Sequence, residues 1–223
     1  MAVHSQGRGK DEIWKALKNK NVYGTSGPRI LLWFDLINSP QGQVPMGSEI
    51  TMSQNPQFIV KAAGSFKQNP GCSNESIDAL SRERLDYLCA GECYNPSNER
   101  HIIERIEIIK ITPQNFNDEP IENLIKDVWK VHDCKNNSQG ECRFRFSDPD
   151  FSKDGRDSLY YVRAIEEPSL RINGGNLRCD YDENGNCKKV NICYGGYQTS
   201  RDDNCTMLSE ERAWSSPIYV NQY

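Results

Sequence analysis

Nine cysteines punctuate this chain, and none stands in the Cys-x-x-Cys spacing used by zinc sites and thioredoxin-like redox motifs. That is more sulfur than a cytosolic enzyme usually carries, so disulfides are the expected use. Local turns suggest the pairs: Cys134 with Cys142 across "KNNSQGE", Cys179 with Cys187 across "DYDENGN", and Cys193 with Cys205 around another short loop. Seven intervening residues let a hairpin bring two Cβ atoms to bridging distance. An odd count leaves one thiol over, among Cys72, Cys89 and Cys93, either free or paired with a segment outside this chain.

Disulfides imply an oxidising, extracytoplasmic setting, periplasmic or secreted. The opening residues "MAVHSQGRGKDEIW" hold neither an apolar stretch nor a small-residue cleavage site, so they are no signal peptide. The two observations agree if the export signal lies upstream of Met1, in a longer protein. In a eukaryotic secretory route Asn74, Asn136 and Asn204 stand in acceptor sequences for glycosylation. The formal charge of −4 is spread without a basic block, which argues against nucleic acid as a partner. The longest apolar run, Ile30 to Phe34, falls far short of the roughly 20 residues a membrane-spanning helix needs.

The expected fold class is mainly β with a few helices (α+β). Segments "RILLWFDL", "PQFIVKAAGSF", "IIERIEIIKIT", "CRFRF", "SLYYVRAIEE" and "AWSSPIYV" are the strand candidates, separated by Pro, Gly, Asn and Ser. Before them, Lys10 to Asn21 reads as a helix with Ile13, Trp14 and Leu17 on one face, feeding a short strand in "NVYGTSG". Two further helices are expected as insertions, near 76–88 and near 119–130. In the second, Ile121, Leu124, Ile125, Val128 and Trp129 form an apolar stripe at helical spacing that reads as core.

Candidate chemistry is sparse. His4, His101 and His132 are isolated in sequence, so no close pair of metal-binding histidines exists here. Asp180, Asp182 and Asn184, followed by Gly185, copy the first half of a calcium loop. The second half departs from it, because Asn191 stands where the bidentate glutamate belongs and Lys188 occupies another ligand position. The competing reading is an Asn-Gly turn closing a disulfide-bracketed hairpin. A second acidic stretch, "SDPDFSKDGRD", reads as a solvated loop. Tyr194 and Tyr197 in "CYGGYQ" read as rim packing or as stacking platforms.

The runs "EIWKALKNKNVYGTSGPRILLWFDL", "PMGSEITMSQNPQFIVKAAGSF", "CAGECYNP", "RIEIIKITPQ", "YYVRAIEEPSLRINGGNLRCD" and "ERAWSSPIYV" resemble the carboxy-terminal region of the domain of unknown function 3604 family, relatives of PHP-type metallohydrolases. The resemblance implies that residues 1–28 are the last helix and strand of a PHP-like β/α barrel. Residues 29–223 then form a disulfide-containing β-sandwich-like domain. It also implies a parent hydrolase, acting on a phosphoester or another ester, whose divalent metal is held by an amino-terminal barrel upstream of Met1. No metal is expected in this chain, and the missing barrel is its implied partner. Thr25, Ser26 and Arg29, at a strand end, become candidates for the rim of that active site. Against the hydrolase stands a second class of function: a non-catalytic secreted β module that binds carbohydrate or protein.

Overall fold

The computed structural model describes residues 1–89, 93–134, 140–172, 174, 179–190 and 205–223. The chain begins with β1 (Ala2–Val3), α1 (Lys10–Lys18), β2 (Val22–Thr25), β3 (Leu31–Ser39), β4 (Gly42–Pro45), β5 (Glu49–Thr51) and β6 (Gln57–Ala63). An arm follows, made of β7 (Phe66–Pro70), α2 (Asn74–Ala79), α3 (Arg82–Cys89) and β8 (Tyr94–Arg100). Next come β9 (Ile103–Ile111), β10 (Ile125–Asp133), β11 (Glu141–Ser147), α4 (Phe151–Asp154) and β12 (Ser158–Glu166). The remaining strands are β13 (Ser169–Ile172), β14 (Cys179–Tyr181), β15 (Cys187–Val190), β16 (Thr206–Ser209), β17 (Arg212–Ser215) and β18 (Ile218–Asn221).

Two sheets face each other as a sandwich, because successive side chains of a strand point to opposite faces and one face of each sheet is apolar. The smaller sheet has the order β11-β6-β3-β4. Its inner face carries Leu32, Phe34 and Leu36 from β3 and Phe58, Val60 and Ala62 from β6, all fully buried. The larger, eight-stranded sheet answers with Ile106 and Ile108 from β9 and Tyr160, Val162 and Ala164 from β12. The rings of Phe58 and Tyr160 meet across the interface with centroids 4.8 Å apart.

Strand β12 organises the larger sheet. Its whole length pairs with β9 on one side, whereas two short strands share the other: β18 along Ser158–Tyr160 and β17 along Arg163–Ile165. Pro217 lies between β17 and β18 and has no N–H for a ladder, so the break falls where pairing would fail. Beyond β17 lie β2 and β1, and beyond β18 lies β5 in parallel. Residues 1–28 thus supply α1 and two strands of the larger sheet. Helix α1 buries Ala16, while Trp14 is 58% exposed, so the expected Ile13–Trp14–Leu17 face is not its packed face.

The helical insertion expected near 119–130 is corrected. Ile121–Asn123 form a single 3-10 turn, and Ile125–Asp133 are strand β10, paired antiparallel with β9. Leu124 is buried, but Ile121, Ile125 and Val128 are exposed. The helical stripe lost to the open edge of β9, whose unpaired backbone groups needed a strand. The insertion near 76–88 is two helices. Ser73 Oγ accepts from Ser76 N ahead of α2, and Ser81 Oγ accepts from Arg84 N ahead of α3. Each serine starts a helix of its own.

Among the described residues three disulfides join Cys134 to Cys142, Cys179 to Cys187 and Cys72 to Cys93, the expected kind of framework. The first two are the pairs expected from spacing, and the third identifies Cys89 as the free thiol. Cys205 is also disulfide-bonded, whereas Cys193 lies outside the described residues. Such bridging belongs to an oxidising environment. No helix among the described residues is long and apolar enough to cross a membrane.

Candidate functional site

The outward face of the smaller sheet borders an open space of about 680 Å³. Period-two alternation puts Trp33, Asp35 and Ile37 of β3 on this face, with Ile59 and Lys61 of β6, Arg143 and Arg145 of β11, and Gln43 of β4 beside them. Register sets them in rows. Trp33, Lys61 and Arg143 lie side by side across three strands, and Asp35, Ile59 and Arg145 form the next row. Neighbouring strands sit about 4.8 Å apart, so these side chains form one continuous patch.

The electrostatics of this face are unbalanced. Lys61 and Arg143 are directly opposite one another, an arrangement of like charges that destabilises a sheet. Among the described residues neither of them, nor Arg145, has a carboxylate partner. Lys61 Nζ instead sits over the Trp33 ring, 5.0 Å from its centroid. Asp35 is the one acid on the patch, and its Oδ2 accepts from Gln43 Nε2 at 2.8 Å. Burial pushes the Asp35 carboxyl above its ordinary range, partly opposed by the Gln43 hydrogen bond and by His4. His4 lies behind Trp33, its ring 5.6 Å away, with Nε2 2.7 Å from the Leu32 carbonyl.

The chemistry available to this face is recognition. Arg143 and Arg145 offer planar donor forks for a carboxylate or sulfate, Lys61 offers a point charge, and Asp35 accepts from hydroxyls. Trp33, Ile37 and Ile59 supply the apolar ground against which a ring can pack. Sequence reasoning found the strands but not the face, because the register that aligns β3, β6 and β11 is a tertiary fact. The available signal was "CRFRF", where two arginines alternate with two phenylalanines and so share one face.

The residues singled out from sequence lie elsewhere. Thr25 is half-buried and pairs with Ala213, while Ser26 and Arg29 are exposed. The Ser26 hydroxyl donates to Glu211 and accepts from the backbone N–H of Arg212 at 2.9 Å, which ties β2 to the start of β17. Glu211 in turn lies 2.7 Å from Arg171 Nε. Asp182 Oδ1 accepts from the backbone N–H of Asn184 and of Asn186, at 2.9 and 2.8 Å, and Gly185 takes a positive φ. These bonds hold the Asp182 carboxyl below its usual range and commit one of its oxygens to the hairpin turn between β14 and β15. Asp180 pairs with Lys189 within that hairpin.

Two groups of three possible ligand side chains converge among the described residues: Cys72, Cys89 and Cys93, and His132, Cys134 and Cys142. In each group two sulfurs are joined as a disulfide. His132 stacks on Phe144 at 3.9 Å, and His101 Nδ1 lies 3.3 Å from Glu167. Tyr194, Tyr197, Asn136 and Asn204 lie outside the described residues, whereas Asn74 is exposed at the start of α2.

No family model, curated protein or solved structure matches this chain, so the resemblance to the domain of unknown function 3604 family rests on the quoted sequence segments alone.

Proposed function

We propose that this chain is a non-catalytic extracytoplasmic module that binds an acidic carbohydrate on the outer face of its smaller sheet. The observation that carries the reading is the row of unpaired cations, with Arg143 directly opposite Lys61 and Arg145 one step along the same strand. An anionic ligand offsets the like-charge repulsion on this face. A carbohydrate fits better than an acidic peptide, because Asp35 in the middle of the patch accepts from sugar hydroxyls but repels peptide carboxylates. In a parent with an upstream metal-bearing barrel, as the resemblance implies, such a module would hold polymeric substrate near the active site.

Calorimetric titration with polygalacturonate and dextran sulfate, against neutral dextran and polyglutamate as controls, tests this. Binding of the two acidic polysaccharides alone is expected. The double variant Arg143→Ala/Arg145→Ala should bind at least about tenfold more weakly, the loss of roughly one charge-assisted hydrogen bond. Its affinity should also depend less steeply on salt. Undiminished binding by that variant, or capture of polyglutamate but neither acidic polysaccharide, overturns the reading.

A further inference from the structure

The structure assigns a thiol–disulfide exchange site to Cys72, Cys89 and Cys93, at the root of the helical arm. Cys72 and Cys93 are bridged, and the free Cys89 Sγ lies 3.5 Å from Cys93 Sγ. The ligand atoms of all three converge within 4.8 Å of one another. The 3.5 Å between Cys89 Sγ and Cys93 Sγ is contact distance, and with all three sulfurs within 4.8 Å the approach is from the side of the Cys72–Cys93 bond, so a rotation of the Cys89 side chain precedes in-line attack. Cys89 is half-buried at the last turn of α3, within reach of solvent.

The step balances without any outside oxidant or reductant. The Cys89 thiol gives its proton to water, and the thiolate attacks Cys93 Sγ. The Cys89–Cys93 bond forms as the Cys72–Cys93 bond breaks, and Cys72 leaves as a thiolate that takes up a proton. A closure spanning 21 positions is thereby replaced by one spanning four. Its mechanical effect follows from the packing of the arm. Neither α2 nor α3 buries a residue, and Ile77 and Leu88 are 52% and 53% exposed. The Cys72–Cys93 bridge, with the Gly71 N–H to Cys93 carbonyl bond of 2.7 Å beside it, ties the start of this excursion to its stem. Exchange therefore detaches the α2–α3 segment at its amino-terminal end while leaving the β7–β8 stem paired.

The test needs only the oxidised full chain. Samples held at pH 5 or pH 8.5 without redox reagent are quenched in acid, denatured, alkylated with N-ethylmaleimide at acid pH and mapped by mass spectrometry. Label confined to Cys89 is expected at pH 5. At pH 8.5, Cys72 label should rise at least about tenfold, together with a Cys89–Cys93-linked peptide, because exchange proceeds through the thiolate. The Cys89→Ser variant, which only removes a free thiol, should show no Cys72 label at either pH. Wild-type label that stays on Cys89 at pH 8.5 overturns the assignment, as does Cys72 label that persists in Cys89→Ser.

Discussion

Lys110 Nζ and Asp148 Oδ2 meet at 2.6 Å with side-chain exposures of 4% and 1%, and the Tyr160 hydroxyl donates to the same oxygen at 2.6 Å. Burial alone would raise the Asp148 carboxyl. The hydrogen bonds from Lys110 and Tyr160 outweigh it and hold the group below its ordinary range. Since the folded-state value is depressed, this carboxylate contributes stability that is full above its unfolded value near 3.9 and is lost as pH falls through the folded one. Burial, reinforced by Asp148, pushes the Tyr160 hydroxyl well upward, so it stays a donor throughout. Lys110→Met leaves Asp148 buried without its cation and should cost about 3–5 kcal/mol in urea unfolding. The double variant Lys110→Met/Asp148→Leu should recover part of that loss, since the Tyr160 hydroxyl then lacks its acceptor, and should lose the Asp148 part of the acid limb of the stability profile. Sequence alone read Asp148 as one more acid in a solvated turn, because nothing in "SDPDFSKDGRD" reveals that a lysine 38 positions earlier ends the same core row. His4 and His132, isolated in sequence, each pack on a ring.

Among the elements, disulfides of equal span do unequal work. Cys134 directly follows β10 of the larger sheet and Cys142 lies near the start of β11 in the smaller one, both buried, so this bridge staples the two layers together. Cys179–Cys187 closes the β14–β15 hairpin, whose residues are mostly exposed. Both join cysteines eight positions apart, so loop entropy is the same for each. Burial decides the difference. Cys134→Ala/Cys142→Ala should lower global stability by about 2–4 kcal/mol. The corresponding hairpin variant should leave the denaturation midpoint nearly unchanged, because an exposed hairpin opens locally. Protease protection of residues 179–190 is the measurement that should change instead. The covalent framework was readable because spacing across a turn is a local property. Strand β10 was not, since its hydrophobic order fits a helix and only the neighbouring β9 edge decides otherwise. The break between α2 and α3 had a visible cause in Ser81, a second capping residue inside what looked like one helix.

At the scale of the whole molecule, a chain with net charge −4 gathers three unpaired cations on one sheet face, and pH acts on that contrast through Asp35. Its carboxyl is raised by burial, so it takes up a proton at milder acidity than an ordinary aspartate and removes the only negative charge on the patch. Affinity for dextran sulfate, which keeps its own charge, should therefore rise as pH falls from neutral through the Asp35 range. Asp35→Asn should bind at neutral pH about as tightly as the wild type does after that rise, with the Asp35 part of the pH dependence gone. Titration calorimetry across pH checks both. The mainly β class and six strand segments, the last of which holds both β17 and β18, were visible in the sequence. The cationic face was not, because it depends on which strands become neighbours.

The pairing of β2 with β17 brings Ser26 to Arg212, 186 positions away. No ribosome can deliver the second partner until residue 212 has emerged, and the other edge of β12 waits equally for β17 and β18. During synthesis β2 and β12 are therefore strands with open edges, the condition that invites pairing with the wrong chain. Contacts this distant in sequence also place the fold among the slow ones, milliseconds to seconds. The nascent chain thus keeps these edges of β2 and β12 open until residues 212–221 appear.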